Sequence, residues 1–285
     1  MRLFCFGFGY AAEALARRLS ARTTALAGTR TRLQEDPPPL GARLGLFQSD
    51  GASQEVRSLL SGTTHVLVSI PPDLEGDGVL RHFRDDLLAL PELNWVGYLS
   101  TVGVYGDCQG RWVDETSPAR PTSERSLRRL QAEHAWCDFG RDSRCRVEVF
   151  RLAGVYGPGR SVIDSLRAGT ARRIVKPGQV FNRIHVDDIA LVLARAIDQP
   201  AGHAIYNVAD DEPAPPEEVV AYAAELLGLP VPPEVPFARA GLGAMAASFW
   251  AECKRVSNRR IKTALGVALS YPTYREGLRA LILGA

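Results

Sequence analysis

The chain has 285 residues, 46% of them hydrophobic and 23% charged, with a formal net charge of +2. So small a net charge argues against a protein devoted to nucleic acid, which usually has a concentrated basic surface. The longest apolar run, residues 240–251, has about half of the roughly 20 residues that a membrane span requires, so we expect no membrane partner. Five cysteines without a Cys-x-x-Cys spacing predict free thiols in a reducing cytoplasm, with neither a disulfide framework nor a zinc site.

Strand-like and helix-like segments alternate through the first two-thirds of the chain. The expected strands are Leu3–Phe6, Thr24–Ala27, Leu44–Phe47, His65–Ser69, Trp95–Leu99 and Val147–Leu152, and the main helices between them are Val79–Leu90 and Ser123–Phe139. This alternation predicts an α/β fold of the Rossmann type, a doubly wound parallel sheet with helices on both faces. Ligands bind such sheets beyond the carboxyl ends of the strands, so we expect the loops after the strands to form a site.

The first strand runs directly into Gly7-x-Gly9-x-x-Ala12, and helical periodicity follows. In a dinucleotide-binding unit, Gly7 would permit the tight turn, Gly9 would let the backbone approach a pyrophosphate, and Ala12 would let the helix pack close to the strand. The free N–H groups at the start of the helix favour an anion. We therefore expect this turn, with Tyr10 and Ala11, to bind a cofactor; a merely structural turn is the alternative.

The end of the second strand bears on which nucleotide is bound. The chain reads Gly28-Thr-Arg-Thr-Arg32 and has no carboxylate before Glu35, whereas NAD-binding folds place an acidic residue there. Guanidinium groups bind phosphate through paired hydrogen bonds. Thr29, Arg30 and Arg32 therefore predict NADP(H) rather than NAD(H), with a solvated basic loop as the alternative.

Two further loops are expected to line the cofactor. Asp50 and Gly51 follow the third strand, where related folds use an Asp to bind the adenine amino group, although Asp-Gly also favours a simple turn. We expect the segment after the fourth strand to line the cofactor ribose through backbone contacts, and the end of the fifth strand to complete this lining. The residues concerned are Ser69, Ile70, Pro71 and Ser100.

Beyond about Gly157 the alternation gives way to Gly- and Pro-rich sequence with short helices, expected at Glu217–Leu227, Ala240–Phe249 and Tyr274–Leu283. We expect a nucleotide-binding core of residues 1–157 and a smaller C-terminal substrate lobe made of residues 158–183 and 210–285. Residues 184–209 would return to the core, with sheet elements at Ile189–Ile197 and Ala204–Val208.

The segment Leu99–Gly106, which reads LSTVGVYG, begins a series of motifs that resembles the extended short-chain dehydrogenase/reductases, the NAD(P)-dependent epimerase/dehydratase family. The later motifs follow in the family's order, at Val113–Glu115, Arg151–Gly159, Asn182–Ile189 and Tyr206–Asp211. The resemblance implies a Rossmann core, a substrate lobe, small-molecule substrates such as nucleotide sugars and, commonly, a homodimer. The N-terminal turn departs from the family, since most extended members have Gly-x-x-Gly-x-x-Gly.

The resemblance also implies a catalytic set of a Ser or Thr, a Tyr, and a Lys four residues after the Tyr. Thr101 matches the Ser/Thr, which polarises the substrate oxygen. On the helix that precedes Glu133, Arg125 stands where the Tyr is expected and Arg129 where the Lys is expected. A guanidinium has a pKa above about 12 and cannot donate a proton near neutral pH, so the family's usual mechanism does not transfer intact.

Three interpretations of this departure are open. In the first, Tyr105, Tyr156 or His185 supplies the proton, and Tyr105 is favoured because its loop follows the strand that carries Thr101. In the second, Arg125 and Arg129 bind an anionic substrate and stabilise developing charge, with water as the proton source. In the third, the protein binds NADP(H) without turnover, as a redox sensor or an interaction partner.

Two motifs also have purely structural interpretations. The segment His185–Asp188 lacks the converging ligands of a metal site, and the resemblance implies that its Asp caps the following helix. Glu133 follows Arg129 by four residues, a spacing that also fits a surface ion pair.

Overall fold

The computed structural model describes residues 1–32, 37–48, 53–199 and 204–283. The strands are β1 (Arg2–Phe6), β2 (Ala25–Arg30), β3 (Arg43–Leu46), β4 (His65–Val68), β5 (Trp95–Thr101), β6 (Trp112–Val113), β7 (Arg146–Leu152), β8 (Gly154–Tyr156), β9 (Arg173–Val175), β10 (Arg183–His185), β11 (Ala204–Val208), β12 (Glu234–Pro236) and β13 (Arg255–Val256). The helices are α1 (Tyr10–Arg18), α2 (Gln54–Leu60), α3 (Gly78–Leu88), α4 (Glu124–Asp142), α5 (Val162–Arg167), α6 (Val186–Asp198), α7 (Pro216–Leu226), α8 (Ala244–Trp250), α9 (Arg259–Leu265) and α10 (Tyr274–Leu283).

Seven of these strands form one parallel sheet in the order β11-β7-β5-β4-β1-β2-β3. The central strand β1 is apolar on both faces: Leu3 and Cys5 belong to one core cluster, and Phe4 and Phe6 to the other. A strand buried on both faces reads as a continuous apolar run, as the parallel sheet requires. The prediction of a Rossmann-type sheet covered by helices on both faces is confirmed.

One predicted sheet element is wrong. Residues 189–197, expected to form a returning strand, lie inside helix α6, which packs against α1 through Ala190 and Val186. A short, mostly apolar segment does not distinguish a buried strand from a buried helix, and this one contains three alanines, the strongest helix formers. The prediction for Ala204–Val208 is confirmed, since β11 pairs with β7 at the edge of the sheet.

The C-terminal part of the chain packs around its own apolar clusters. Helices α5, α7 and α10 share a cluster that includes Ile163, Ala223 and Leu278, while Trp250 of α8 packs with Phe181 in another. The predicted helices correspond to α7, α8 and α10, although α8 begins four residues later than expected, at Ala244. In the described part of the chain, no helix is both long and apolar enough to cross a membrane.

Candidate functional site

A cleft of about 1200 Å³ lies at the carboxyl ends of the central strands. The core contributes the start of α1, Ser69 after β4, and residues 99–103 at the end of β5. Residues from the C-terminal half of the chain also border it, among them Arg160, Phe181, Phe249 and Lys254. The cleft therefore lies where a doubly wound sheet is expected to bind its ligand.

The turn after β1 is built around Gly7, whose φ is +84°. A Cβ at this position would lie 2.7 Å from Ser69 Oγ and 3.0 Å from a side-chain carbon of Ile70. The Ser69 hydroxyl donates to the Gly7 carbonyl (2.6 Å), and the Gly7 amide donates to Thr29 Oγ1 (3.0 Å). Both the left-handed backbone and the close neighbours therefore require glycine here.

Gly9 leaves an open space at the start of α1. A Cβ added to it would meet no atom within 4 Å, and α1 begins at the next residue without a side-chain cap. Gly9, Tyr10 and Ala11 border the cleft, while Ala12 is fully buried against the core. A bare backbone beside the uncapped N–H groups of a helix fits the pyrophosphate of a dinucleotide.

The three residues predicted to bind a 2′-phosphate lie in different environments in the structure. Thr29 is fully buried, and its hydroxyl holds the Gly7 amide, so the expectation that it contacts a nucleotide is corrected: it supports the turn instead. The Arg30 guanidinium pairs with Glu13 of α1 at 2.6 Å and also donates from Nε to the Phe8 carbonyl at 2.9 Å. Arg32 is exposed just beyond β2.

Only some of the other predicted cofactor residues border the cleft. Ser69 borders it, Ile70 packs at the Gly7 turn, and Pro71 is exposed outside it. Asp50 and Gly51 lie outside the described residues.

The end of β5 brings Thr101 to the cleft. Its hydroxyl accepts a hydrogen bond from the Gly103 amide at 3.1 Å and caps a short 3₁₀ turn over Val102–Tyr105. A hydroxyl that accepts one hydrogen bond still has its own proton to donate. The neighbouring Ser100 borders the cleft as well, but its hydroxyl donates to the buried carboxylate of Glu133.

The placement of Tyr105 argues against it as the proton donor. Its side chain is buried, its hydroxyl donates to Asn207 Oδ1 (2.8 Å), and the Arg151 guanidinium lies over its ring. Tyr105 is absent from the residues that border the cleft in the described chain, and burial raises its pKa. The favoured candidate is therefore corrected: Tyr105 stabilises the region beneath the site.

The other two candidate donors are also held inside the protein. The Tyr156 hydroxyl packs against Gly277, where an added Cβ would lie 2.0 Å away, and burial raises its pKa. His185 is buried, its Nδ1 accepts from the Asp187 amide, and burial lowers its pKa. Tyr156 does border the cleft, but its hydroxyl is directed into this packing, whereas His185 does not border the cleft among the described residues.

Helix α4 presents both predicted arginines to the cleft. The Arg125 side chain is exposed, with its guanidinium 4.5 Å from the ring centroid of Phe249. Arg129 donates to the Leu99 carbonyl at 2.7 Å and lies over the ring of Tyr98. The surface ion pair between Arg129 and Glu133 is not formed, because Glu133 is buried and pairs with Arg151 at 2.7 Å.

The sequence interpretation of His185–Asp188 also needs a correction. His185, not an aspartate, caps α6 with its side chain. Asp188 is buried and accepts hydrogen bonds from the amides of Ser270 (2.7 Å) and Tyr271 (3.0 Å), which fixes the loop before α10. Among the described residues, no group of three or more His, Cys, Asp or Glu side chains is placed to hold a metal ion.

Several charged residues of the cleft were missed by sequence reasoning. They come from the C-terminal half of the chain: Arg160, Arg172, Arg183, Glu252 and Lys254. Arg160 directly follows the motif Arg151–Gly159, and Lys254 opens the most basic stretch of the chain, but neither pattern indicates which way a side chain points.

The chain is similar to a known protein family and to proteins of known structure. Residues 89–209 match the model of the NAD dependent epimerase/dehydratase family. The chain is 48% identical to a conserved protein of unknown function from Silicibacter pomeroyi DSS, with a TM-score of 0.91 over 100% of this chain and 99% of that one. It is similar in fold to the human epimerase family protein SDR39U1 with NADPH, at 20% identity and a TM-score of 0.77, with full coverage of both chains.

A further relative is known as an enzyme. The 3-diazoavenalumate denitrifying reductase from Streptomyces sp is 29% identical over 177 residues. That match covers 59% of this chain and 55% of the reductase, so the chain spans about half the length of that relative.

Proposed function

The chain belongs to the NAD dependent epimerase/dehydratase family, and from that premise we propose that it is an NADP(H)-binding oxidoreductase of this family acting on a small anionic substrate. The observation that carries the proposal is a single cleft that joins an open glycine turn, Thr101 and an excess of basic side chains. On this proposal the core, residues 1–157 and 184–209, holds the nucleotide. Residues 158–183 and 210–285 hold the substrate.

The glycine turn supports a nicotinamide dinucleotide as the cofactor. Gly9 leaves room for the pyrophosphate beside the N–H groups of α1, and Gly7 and Thr29 hold the turn in shape. The human structural relative contains NADPH, and three of the five motifs, Leu99–Gly106, Arg151–Gly159 and Asn182–Ile189, contribute residues to the same cleft. When bound, the nicotinamide would accept or donate a hydride.

The preference for NADP(H) rests on the end of β2. Arg30 is the last residue of that strand and Arg32 is exposed two positions later, so two guanidiniums lie near the place where a ribose 2′-phosphate would bind. Glu13 is the competing group, since it already pairs with Arg30. A bound 2′-phosphate would have to replace Glu13 on Arg30 or share that guanidinium with it.

The charge of the cleft supports an anionic substrate. Six basic side chains of the described chain border it, and one carboxylate, Glu252, does so: the basic residues are Arg125, Arg129, Arg160, Arg172, Arg183 and Lys254. Glu252 and Lys254 pair with one another. Arg129 and Arg183 donate to backbone carbonyls, which leaves their charges in place. A concave surface of one sign attracts and holds ligands of the other.

The proposed chemistry assigns a task to each of three side chains. Thr101 would donate a hydrogen bond from its hydroxyl to a substrate oxygen and so polarise it, and Arg125 and Arg129 would stabilise negative charge that develops there. Neither arginine can give up a proton near neutral pH, so the proton would come from water admitted by the open cleft. This division of tasks replaces the Tyr and Lys of the family's usual set.

A second candidate function follows from the same replacement. With Arg125 at the position of the Tyr, with Tyr105 and His185 buried, and with the Tyr156 hydroxyl packed against Gly277, the protein would bind NADP(H) without turnover. It would then serve as a sensor of the nucleotide or as an interaction partner whose surface depends on it.

A parallel titration of the purified protein with NADPH and NADH, followed by nucleotide fluorescence, tests the first part of the proposal. We expect tight binding of NADPH and weaker binding of NADH, and the absence of binding by either nucleotide would overturn it. A screen of anionic carbonyl compounds, followed by NADPH consumption, then separates the two functions. Consumption with any of them supports the enzyme, whereas tight binding without consumption supports the sensor.

A further inference from the structure

Tyr10 joins the glycine turn to the loop that follows β8. Its hydroxyl donates to the Pro158 carbonyl at 3.0 Å, across 148 positions of sequence. Gly157 packs so close that an added Cβ would lie 2.4 Å from the same hydroxyl. The residue that follows Gly9 is therefore fixed to a loop from the C-terminal half of the chain.

Arg160 lies on this tyrosine. Its guanidinium carbon is 5.9 Å from the centroid of the Tyr10 ring, a distance at which the ring face attracts a cation. The side chain is exposed and borders the cleft together with Gly9, Tyr10 and Ala11. The ring thus holds a positive charge beside the start of α1.

The charge of Arg160 has no carboxylate partner at ion-pair distance among the described residues. On the other side of the turn, Arg30 is paired with Glu13. The nearby Asp164 is occupied by the amide and hydroxyl of Ser161, at 2.8 and 2.7 Å. A planar guanidinium in this setting is suited to an oxyanion with two accessible oxygens.

We propose that Arg160 binds the pyrophosphate of the nicotinamide dinucleotide, with the Tyr10 ring holding its guanidinium at the glycine turn. The inference rests on the proposed function, because it requires a dinucleotide at Gly9. It adds a side chain to an anion site otherwise made of backbone N–H groups. It also links cofactor binding to the loop at 157–160, which leads into the part of the chain proposed to hold the substrate.

The test compares NADPH with ADP-ribose, which has the pyrophosphate but no nicotinamide. We expect Arg160→Gln to raise the Kd of both ligands by a similar factor, about tenfold or more, as expected for the loss of a charge-assisted hydrogen bond. Arg160→Lys keeps the charge without the planar pair of donors, so its Kd values should lie between those of the wild type and those of Arg160→Gln. Arg167→Gln is the matched control, because Arg167 is exposed on α5 and does not border the cleft.

The outcomes separate this inference from the proposed function. If the wild-type protein binds neither NADPH nor NADH, the proposed function fails and the role of Arg160 fails with it. If the wild-type protein binds NADPH and Arg160→Gln binds both ligands as tightly, only the role of Arg160 is overturned. Nucleotide affinities that stay unchanged while the KM of an anionic substrate rises would assign Arg160 to the substrate and would also overturn the inference.

Discussion

The guanidinium of Arg125 lies over the ring of Phe249, 4.5 Å from its centroid. Arg125 is on α4 and Phe249 is on α8, so the residue predicted from the sequence to occupy the position of the family's Tyr is covered by an aromatic ring from the C-terminal part of the chain. Both side chains border the cleft and both are exposed. The pair therefore provides a cation that a ligand can reach, held in place by a ring.

We expect Arg125→Gln to weaken binding of an anionic substrate while leaving nucleotide binding intact. Removing the guanidinium should raise the KM of an anionic carbonyl substrate by about tenfold or more, as expected for a lost charge-assisted hydrogen bond. The NADPH affinity should stay within about twofold of wild type, since Arg125 is on α4 and contacts Phe249 of α8 rather than the glycine turn. Steady-state kinetics and a fluorescence titration measure the two quantities.

The control for this variant is Arg141→Gln, which removes the same charge from the last turn of the same helix, outside the cleft. Equal effects of the two variants on KM would show that overall charge, and not the position of Arg125, determines substrate binding.

Thr101 is expected to act on kcat. Thr101→Val keeps the shape of the side chain but removes the hydroxyl, so it should lower kcat by about 100-fold, the usual cost of losing one preorganised donor. It should change the Kd of NADPH little. Thr101→Ser restores the hydroxyl and should recover most of the activity. A Thr101→Val protein with wild-type kcat would remove Thr101 from the chemistry.

Prediction from the sequence was most successful at positions where the backbone conformation and the neighbouring atoms allow only one residue type. Gly7 is an example, since its positive φ and the contact with Ser69 admit only glycine. The prediction that Thr29 and Arg30 both reach the nucleotide overlooked the alternation of side chains along a strand. Both residues belong to β2. Thr29 is fully buried and holds the Gly7 amide, whereas Arg30 points to the other side of the strand and pairs with Glu13 of α1.

Other features depended on contacts that no local pattern specifies. Tyr105 is held by Asn207, 102 positions away, and the cations of the C-terminal half reach the cleft only through the packing of short strands and helices. The apolar run in α6 gave the wrong element because its periodicity fits a buried strand and a buried helix equally well.

The choice between NADPH and NADH should depend on Arg30 and on its partner Glu13. We expect Arg30→Ala to weaken NADPH binding by about tenfold or more and NADH binding by less than about twofold, because only NADPH has a 2′-phosphate for a charge-assisted bond. Glu13→Gln removes the competing carboxylate and should strengthen NADPH binding. Parallel titrations of the two variants measure this, and equal effects of Arg30→Ala on both nucleotides would contradict the NADP(H) preference.

A buried carboxyl in the sheet gives a prediction about stability. Glu148 of β7 is fully buried, and its Oε2 accepts a hydrogen bond from Trp95 Nε1 at 2.6 Å. The nearest positive charge is Arg146, with 3.7 Å between its Nε and Oε1. Burial outweighs both contacts and raises the pKa of Glu148 from 4.5 to about 7.

A raised carboxyl pKa means that the folded protein binds this proton more tightly than the unfolded chain does. The contribution of Glu148 to the free energy of unfolding is therefore greatest below pH 4.5, falls as the pH rises to about 7, and stays low above that. Glu148→Gln keeps an acceptor for Trp95 without the charge, so relative to wild type it should gain stability between pH 5 and pH 8.5, by up to about 3 kcal/mol. Urea denaturation at the two pH values measures this gain. The surface variant Glu92→Gln should follow the wild-type profile, and an equal difference between Glu148→Gln and wild type at both pH values would show that Glu148 does not titrate on folding.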